Sequence, residues 1–239
     1  MARIMQGEKA IESVYAEAIE GTRIDFGKSM APQIYSLLRS AIIQNRIAPG
    51  TPIYEAKFAE IIGVSRTPLR AAMQQLSKEG LVETRPQVGS IVAPIEQKKI
   101  LSAVFCRSAL ETAVVRRLAE MHPLDTSRLA QVLALQAECT ARDDYIAFFE
   151  FDEEFHAMLA ELAGVPEAWQ MILSNKTHVD RARLRLQSAI PGRAAIAYQE
   201  HLEILDAIKS GDAELAVQRM DNHVRSALDV ITEADEAKQ

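Results

Sequence analysis

Ile61-Ile62-Gly63-Val64-Ser65-Arg66-Thr67-Pro68-Leu69-Arg70 is the stretch on which the fold turns. An apolar run ends at Gly63, a residue free to adopt the positive φ that closes a helix. Val64 is apolar and fits the angle between two helices. Ser65 is expected to cap the next helix by accepting from its free N–H groups. Pro68 falls in the first turn, where a missing N–H costs little. Arg66, Thr67 and Arg70 then stand at the exposed start of that second helix. A helix-turn-helix offers side chains to a DNA major groove in this way. An ordinary helical hairpin with solvated arginines fits the ten residues as well.

The flanks extend the pattern. Pro32 opens a helix to about Asn45, with Ile34, Leu37, Leu38, Ala41 and Ile42 facing inward. Ile47 to Pro52 is a turn-rich loop. Tyr54–Ile62 is the second helix, and Ser65–Glu79 the third, ended by Gly80. Leu81–Thr84 and Ser90–Ala93 read as short strands around the loop Arg85-Pro86-Gln87-Val88-Gly89. Three helices and a small hairpin make a winged helix-turn-helix over residues 30–94. Ahead of it, residues 1–29 carry a helical pattern from Glu8 to Ile19, with Ile11, Val14, Tyr15, Ala18 and Ile19 on one face. An arm packed on a partner subunit and a partly ordered tail both fit that segment.

After Pro94 and Glu96-Gln97-Lys98-Lys99 the composition becomes helical. Helices are expected at about 96–121, 125–140, 143–163, 166–189, 192–210 and 212–235. Asp125 and Asp212 are candidate N-caps; Gly164 and Gly211 are candidate stops. The fold class is mainly α: an N-terminal winged helix-turn-helix, and an all-α antiparallel bundle over 95–236 whose centre can hold a ligand or metal.

Bulk properties bound the function. A chain of 239 residues favours two domains. No apolar run reaches membrane-spanning length, and Met1 to Gly7 lacks an apolar signal region, so a cytoplasmic protein is expected. Cys106 and Cys139 form no CxxC pair and are expected to be buried thiols. The net charge is −6, unpromising for a nucleic-acid binder, yet it is unevenly spread. Met30–Ala93 holds seven Lys/Arg against four Asp/Glu, whereas Pro94–Gln239 holds sixteen against twenty-four. A basic head on an acidic body fits DNA binding joined to a regulatory module.

The body carries a second constellation. Asp152 and His156 are four apart, which on a helix places both on one face. His201 and His223 lie on later, separate helices. Three helices can bring one oxygen and three nitrogens together. Imidazole suits zinc, nickel, iron or copper, and the carboxylate broadens the choice towards manganese. Capped or surface histidines on three helices fit the spacing equally.

Two resemblances narrow these alternatives. Residues 30–93 resemble the DNA-binding domain of GntR-type bacterial transcription regulators, through Gly63–Arg70, through Leu76-Ser77-Lys78-Glu79-Gly80-Leu81-Val82 and through Gly89. The resemblance implies that Ser65, Arg66, Thr67, Arg70 and Gln74 face DNA and that Gly89 lets the wing backbone approach it. Ala71 stands where the family usually has Glu. Ala56 replaces an arginine that contacts DNA in some fatty-acid-responsive members, leaving Lys57 for a phosphate contact. The operator of those relatives is therefore not transferable. Residues 95–235 resemble the FCD ligand-binding domain of the FadR subfamily. Many of its members use an Asp-x-x-x-His pair, a later Glu-His, and a final His 22 residues on. Asp152, His156, His201 and His223 match all of these positions, which implies a divalent metal, with zinc the leading expectation and nickel, manganese or iron as alternatives. Gly164-Val165-Pro166 replaces the Gly-Asn often seen after the Asp-His helix.

Family ligands are small organic or sugar acids. A carboxylate can complete the metal's coordination while arginines neutralise the rest. The resemblance points to Arg107 and Arg183 as effector contacts, to Glu111 as a residue that orients Arg107, and to His178 as a pocket or surface residue. Arg181 points elsewhere than Arg183. His122 matches no ligand position and reads as a helix-end residue. The combined expectation is a homodimeric repressor that releases a palindromic double-stranded operator on binding a small carboxylate, with no membrane partner. Two alternatives are a metal-dependent helical-bundle hydrolase and a regulator with a purely structural metal. The hydrolase lacks a His-Asp doublet, a Gly-rich phosphate loop and a Gly-x-Ser-x-Gly elbow.

Overall fold

The structure, a computed structural model, describes residues 11–21, 23–85, 89–121, 124–186 and 190–236, with side chains described to residue 226 and at 228. The start of the first helix at Glu8, Pro86 to Val88 of the wing, and His122 lie outside the described residues. The chain forms two compact units, Met1–Ile95 and Glu96–Gln239.

In the first unit, α1 covers residues 11–18. It is followed by α2 (Met30–Ile43), β1 (Pro52–Ile53), α3 (Glu55–Ile62), α4 (Arg66–Lys78), β2 (Val82–Arg85) and β3 (Gly89–Val92). Gly63 ends α3 at φ 71°, ψ 32°, the left-handed cap that its lack of a Cβ favours. Leu69, Ala72, Met73 and Leu76 of α4 are buried at helical spacing, and they turn that face of α4 onto α2. Ser65 departs from expectation. It is the N-cap of α4, but its side chain makes no capping bond. A capping hydroxyl accepts from the second or third helical N–H, and the third helical residue is Pro68, which has none.

The sheet is antiparallel in the order β1-β3-β2. Pro52, expected at the end of a loop, and Ile53, given no element, form its third strand and pair with Ile91 and Ser90. A proline is tolerated there because the strand lies at the sheet edge. The segment before residue 30 belongs to this unit. Tyr15 of α1 is fully buried, packs edge-to-face on Phe58 at 5.1 Å, donates to Pro52 O at 2.7 Å and accepts from Tyr54 N at 3.0 Å.

The second unit is helical: α5 (Gln97–Glu120), α6 (Ser127–Ala141), α7 (Tyr145–Leu162), α8 (Pro166–Leu173), α9 (Thr177–Leu186), α10 (Arg193–Ser210) and α11 (Ala213–Glu236). α5 packs along α11, and α6 packs on α7 and α10. Asp212 caps α11 through Leu215 N. Asp125 instead accepts from Ser127 N, and Thr126 takes the cap position of α6. The single helix expected over 166–189 is interrupted after Leu173. The Ser174 hydroxyl and the Asn175 amide both donate to Met171 O, competing with the backbone ladder. The buried Lys176 ammonium is drawn to Asp180 at 2.6 Å and Glu153 at 2.7 Å. Cys139 is buried as expected, whereas Cys106 is exposed on α5. Among the described residues no helix is long and apolar enough to cross a membrane.

Replacing Tyr15 by Phe keeps the ring and removes both hydrogen bonds, leaving Pro52 O without its donor. The expected cost to the first unit is about 1–3 kcal/mol, read as a lower midpoint in urea unfolding. An unchanged midpoint would show that α1 contributes packing alone.

Candidate functional site

The exposed face of α4 is opposite its apolar stripe and carries Arg66, Thr67, Arg70 and Gln74, with Ser65 exposed just before it. Arg70 Nε lies 3.3 Å from Glu55 Oε2, and Lys57 pairs with Glu12 of α1. Ion pairs this exposed are worth little, so both cations can exchange these partners for phosphates. Gly89 is exposed at φ 88° and begins β3 opposite Arg85. A Cβ there would meet no heavy atom within 4 Å, so the positive φ, not crowding, selects glycine.

In the second unit, Asp152, His156, His201 and His223 come together. One ligand atom from each lies within 4.8 Å of the others, and all four residues are buried. The reason is local. Asp152 and His156 sit on the buried face of α7 among Phe148, Phe149, Phe155 and Leu159. His201 occupies the buried stripe of α10 with Ala197, Ile204 and Leu205. His223 follows Ala216 and Met220 on α11. Each helix brings its polar residue inward because the residues around it are apolar. Phe155 stacks on His201 at 4.2 Å and Trp169 on His156 at 5.9 Å, which fixes the ring planes and keeps water out.

The oxygens behind the rings indicate which ring nitrogens face the centre. His223 Nδ1 is 2.7 Å from Glu200 Oε2, and His156 Nδ1 lies against Glu111 Oε2. Carboxylates only accept, so His223 Nδ1 carries the proton, and the charge contact of His156 Nδ1 with Glu111 favours the same tautomer there. His201 Nδ1 is 2.8 Å from Gln136 Oε1. The inward nitrogens are then Nε2. The His223 Nε2 is 3.2 Å from that of His156 and 3.3 Å from that of His201. Imidazole nitrogens bound about 2.0–2.1 Å from one tetrahedral ion would be separated by about 3.3 Å. Asp152 Oδ1 is 3.6 Å from His201 Nε2 and adds an anionic donor. Three lone pairs and a carboxylate facing one point fit a divalent cation.

The charges around this point are also matched. Arg183 forms a bidentate pair with Asp152, at 2.9 and 3.0 Å. Burial alone would raise the Asp152 carboxyl, but the Arg183 guanidinium holds it well below the usual carboxylate range. Burial likewise opposes the Arg107 guanidinium at Glu111, and Arg107 prevails in keeping that carboxyl ionised. Burial and the neighbouring His223 ring push His201 well below its ordinary value, and burial lowers His223 against the pull of Glu200.

Arg107, 2% exposed, donates from Nε to Glu111 Oε1 at 2.7 Å, so Glu111 orients it while also receiving His156. Arg107 Nη2 is buried and finds no hydrogen-bond acceptor among the described residues. His178 lies away from the cluster and accepts from the backbone N–H of Glu96 at 3.2 Å. Arg181 is buried. Sequence reasoning missed Gln136, Glu200, and Arg193, whose guanidinium lies 3.9 Å from Glu200 Oε1. Glu200 had a signal, since it precedes His201, but Gln136 and Arg193 lie in no motif.

Known proteins resemble the chain in both units. The profile of the "Bacterial regulatory proteins, gntR family" matches residues 30–92, and that of the FCD domain matches 103–226. An uncharacterized HTH-type transcriptional regulator in an unstable DNA locus of Streptomyces ambofaciens is 35% identical over 206 residues, covering 86% of each chain. The HTH-type transcriptional repressor RspR of Escherichia coli strain K12 is 34% identical, covering 85% of this chain and 90% of RspR. The crystal structure of a putative transcriptional regulator GntR from Rhodococcus sp. RHA1 superposes with a TM-score of 0.73 at 25% identity, over 86% of this chain and 99% of that one.

The lowered histidines give a pH dependence whose sign is fixed. The unfolded chain takes up protons near pH 6.5, and the metal-free folded body refuses them at His201 and His223. Stability is therefore full above about pH 6.5 and falls as the pH drops below it, by up to about 1.4 kcal/mol per pH unit for each histidine. Urea unfolding of metal-free protein between pH 7.5 and 5.5 checks this; a midpoint that is flat or rises with acid would contradict it.

Proposed function

The chain belongs to the gntR family of bacterial regulatory proteins, and from that premise we propose a repressor released from a palindromic operator by a small organic or sugar acid bound beside a divalent ion of the zinc class. Members of the family are DNA-binding transcription regulators, not enzymes. The observation that carries the effector reading is Arg107. A buried guanidinium with a donor left over costs about 1–3 kcal/mol or more, and an incoming carboxylate would remove that cost. The Arg183 guanidinium, paired with Asp152, also acts on Arg107, so the surroundings of Arg107 are electropositive enough to favour an anion. The convergent Nε2 atoms of His156, His201 and His223, with Asp152, support the metal; the ion would polarise and anchor the acid.

A homodimer follows from the DNA chemistry. One small head touches few bases, and useful specificity needs two heads on a two-fold symmetric site. On α5, Leu101 and Phe105 lie one turn apart at 49% and 71% exposure. An apolar patch of this kind suits a second copy. Release requires that the acid bind more tightly to the arrangement that misfits the operator, since equal affinity for both shifts nothing.

Gel shifts on DNA upstream of the protein's own gene test the reading, with metal-loaded protein and a panel of hydroxy, keto and sugar acids. One acid should release the DNA from the wild type, and Arg107→Ala should require a higher concentration. A shift indifferent to every acid would overturn the sensing role.

Arg66→Ala and Arg70→Ala should each weaken operator binding by about 1–3 kcal/mol if the guanidinium reads a guanine, and should relax discrimination at that base. Where the arginine contacts phosphate instead, its alanine variant would lose affinity evenly across sequences and show a shallower salt dependence. Unchanged binding at matched salt would remove that arginine from the interface.

A further inference from the structure

Every histidine of the cluster is held from behind by an oxygen: Glu111 of α5 for His156, Gln136 of α6 for His201, and Glu200 of α10 for His223. Two of these holders are carboxylates. The third is an amide, and an amide has a donor end as well as an acceptor end. Gln136 is fully buried, and its Nε2 lies 2.9 Å from Phe151 O. A backbone carbonyl only accepts, so the nitrogen end of Gln136 must face it. The oxygen end then faces His201 Nδ1 and takes its proton in a hydrogen bond.

We propose that Gln136 is a positioning residue for the metal, fixing the His201 tautomer and tying that ring to the backbone residue next to Asp152. One side chain from a helix without a ligand thereby couples two ligands, on α7 and α10. Glu111 and Glu200 fix the other two rings in the same sense, so all three histidines present unprotonated Nε2 before any ion arrives. The proposal rests on the metal reading given above.

The choice of an amide has a reason in charge. Asp152 already brings a carboxylate to within 3.6 Å of His201 Nε2. A third buried carboxylate behind His201 would add a like charge to the same dry region and would turn an oxygen lone pair on Phe151 O. Glutamine supplies the acceptor without the charge and uses its other end to satisfy the carbonyl. Outer-shell partners of metal-bound histidines typically alter affinity by about 10–100-fold when removed.

The test uses the full chain, freed of metal, with cobalt(II) and zinc(II) alone as probes. Long-range proton–nitrogen spectra of the imidazole rings read the tautomers directly. In the metal-free wild type His201 should carry its proton on Nδ1; a His201 protonated on Nε2 would overturn the proposal, whether or not metal binds. Gln136→Leu removes both ends of the amide. It should weaken zinc binding by about 10–100-fold in chelator competition, shift the visible bands of bound cobalt, and release His201 into a tautomer mixture. Gln136→Glu retains an acceptor for His201 and should hold the Nδ1–H tautomer, which also decides the matter should the leucine variant fail to fold. Equal affinity and unaltered cobalt bands in Gln136→Leu would overturn the positioning role. A wild type that binds neither ion would overturn the metal reading instead, and the tautomer spectrum would still decide separately whether Gln136 sets the His201 proton.

Discussion

Burying the Asp152 carboxylate is the constraint around which the body is arranged. An ionised carboxylate taken out of water is costly unless it is paired and hydrogen-bonded. Asp152 is fully buried, and Arg183 meets both of its oxygens. Arg183 is supplied by α9, which packs on α5 and α11 and is buried from Thr177 to Leu184. Pairing buried charge also explains the break before α9. Lys176 reaches Glu153, the neighbour of Asp152, and spans to Asp180, so the two helices are clasped at consecutive α7 positions. Burial raises the Glu153 carboxyl to about 7 against the pull of Lys176.

The first unit solves an easier problem. α4 separates its faces by sequence alone: Leu69, Ala72, Met73 and Leu76 inside, Arg66, Thr67, Arg70 and Gln74 outside. Among its described residues no buried charge has to be matched, so the arginines can remain at the surface. The family resemblance extends across both units, yet their chemistry differs. One unit displays charge to water, and the other hides it.

This difference explains what was legible in the sequence. Periodicity and turn residues located the helix-turn-helix, the wing and most body helices, because those signals are local. The four-residue spacing of Asp152 and His156 placed both on one face for the same reason. Signals that depend on distant partners were not legible. Gln136 acts on His201, 65 residues away, and nothing in its own neighbourhood marks it. The Ser65 side chain makes no capping bond, and Pro68 removes one of the two N–H groups it could have accepted from. The β1 strand was hidden because Pro52-Ile53 is extended only by pairing with β3. The helix expected over 166–189 was too long because periodicity does not register the Ser174 and Asn175 side chains bonding to Met171 O.

α9 has one more property. It holds Asp152 through Arg183 and, five residues earlier, holds the backbone of Glu96 through His178. Those points are separated by about 7.5 Å along a helix axis, a span over which a helix is effectively a rigid rod. Glu96 is the first residue of the second unit. The same helix thus holds both the carboxylate of the charged centre and the body's first backbone amide. α9 is a strut inside the second unit, with one end fixed in its charged centre and the other at its first residue.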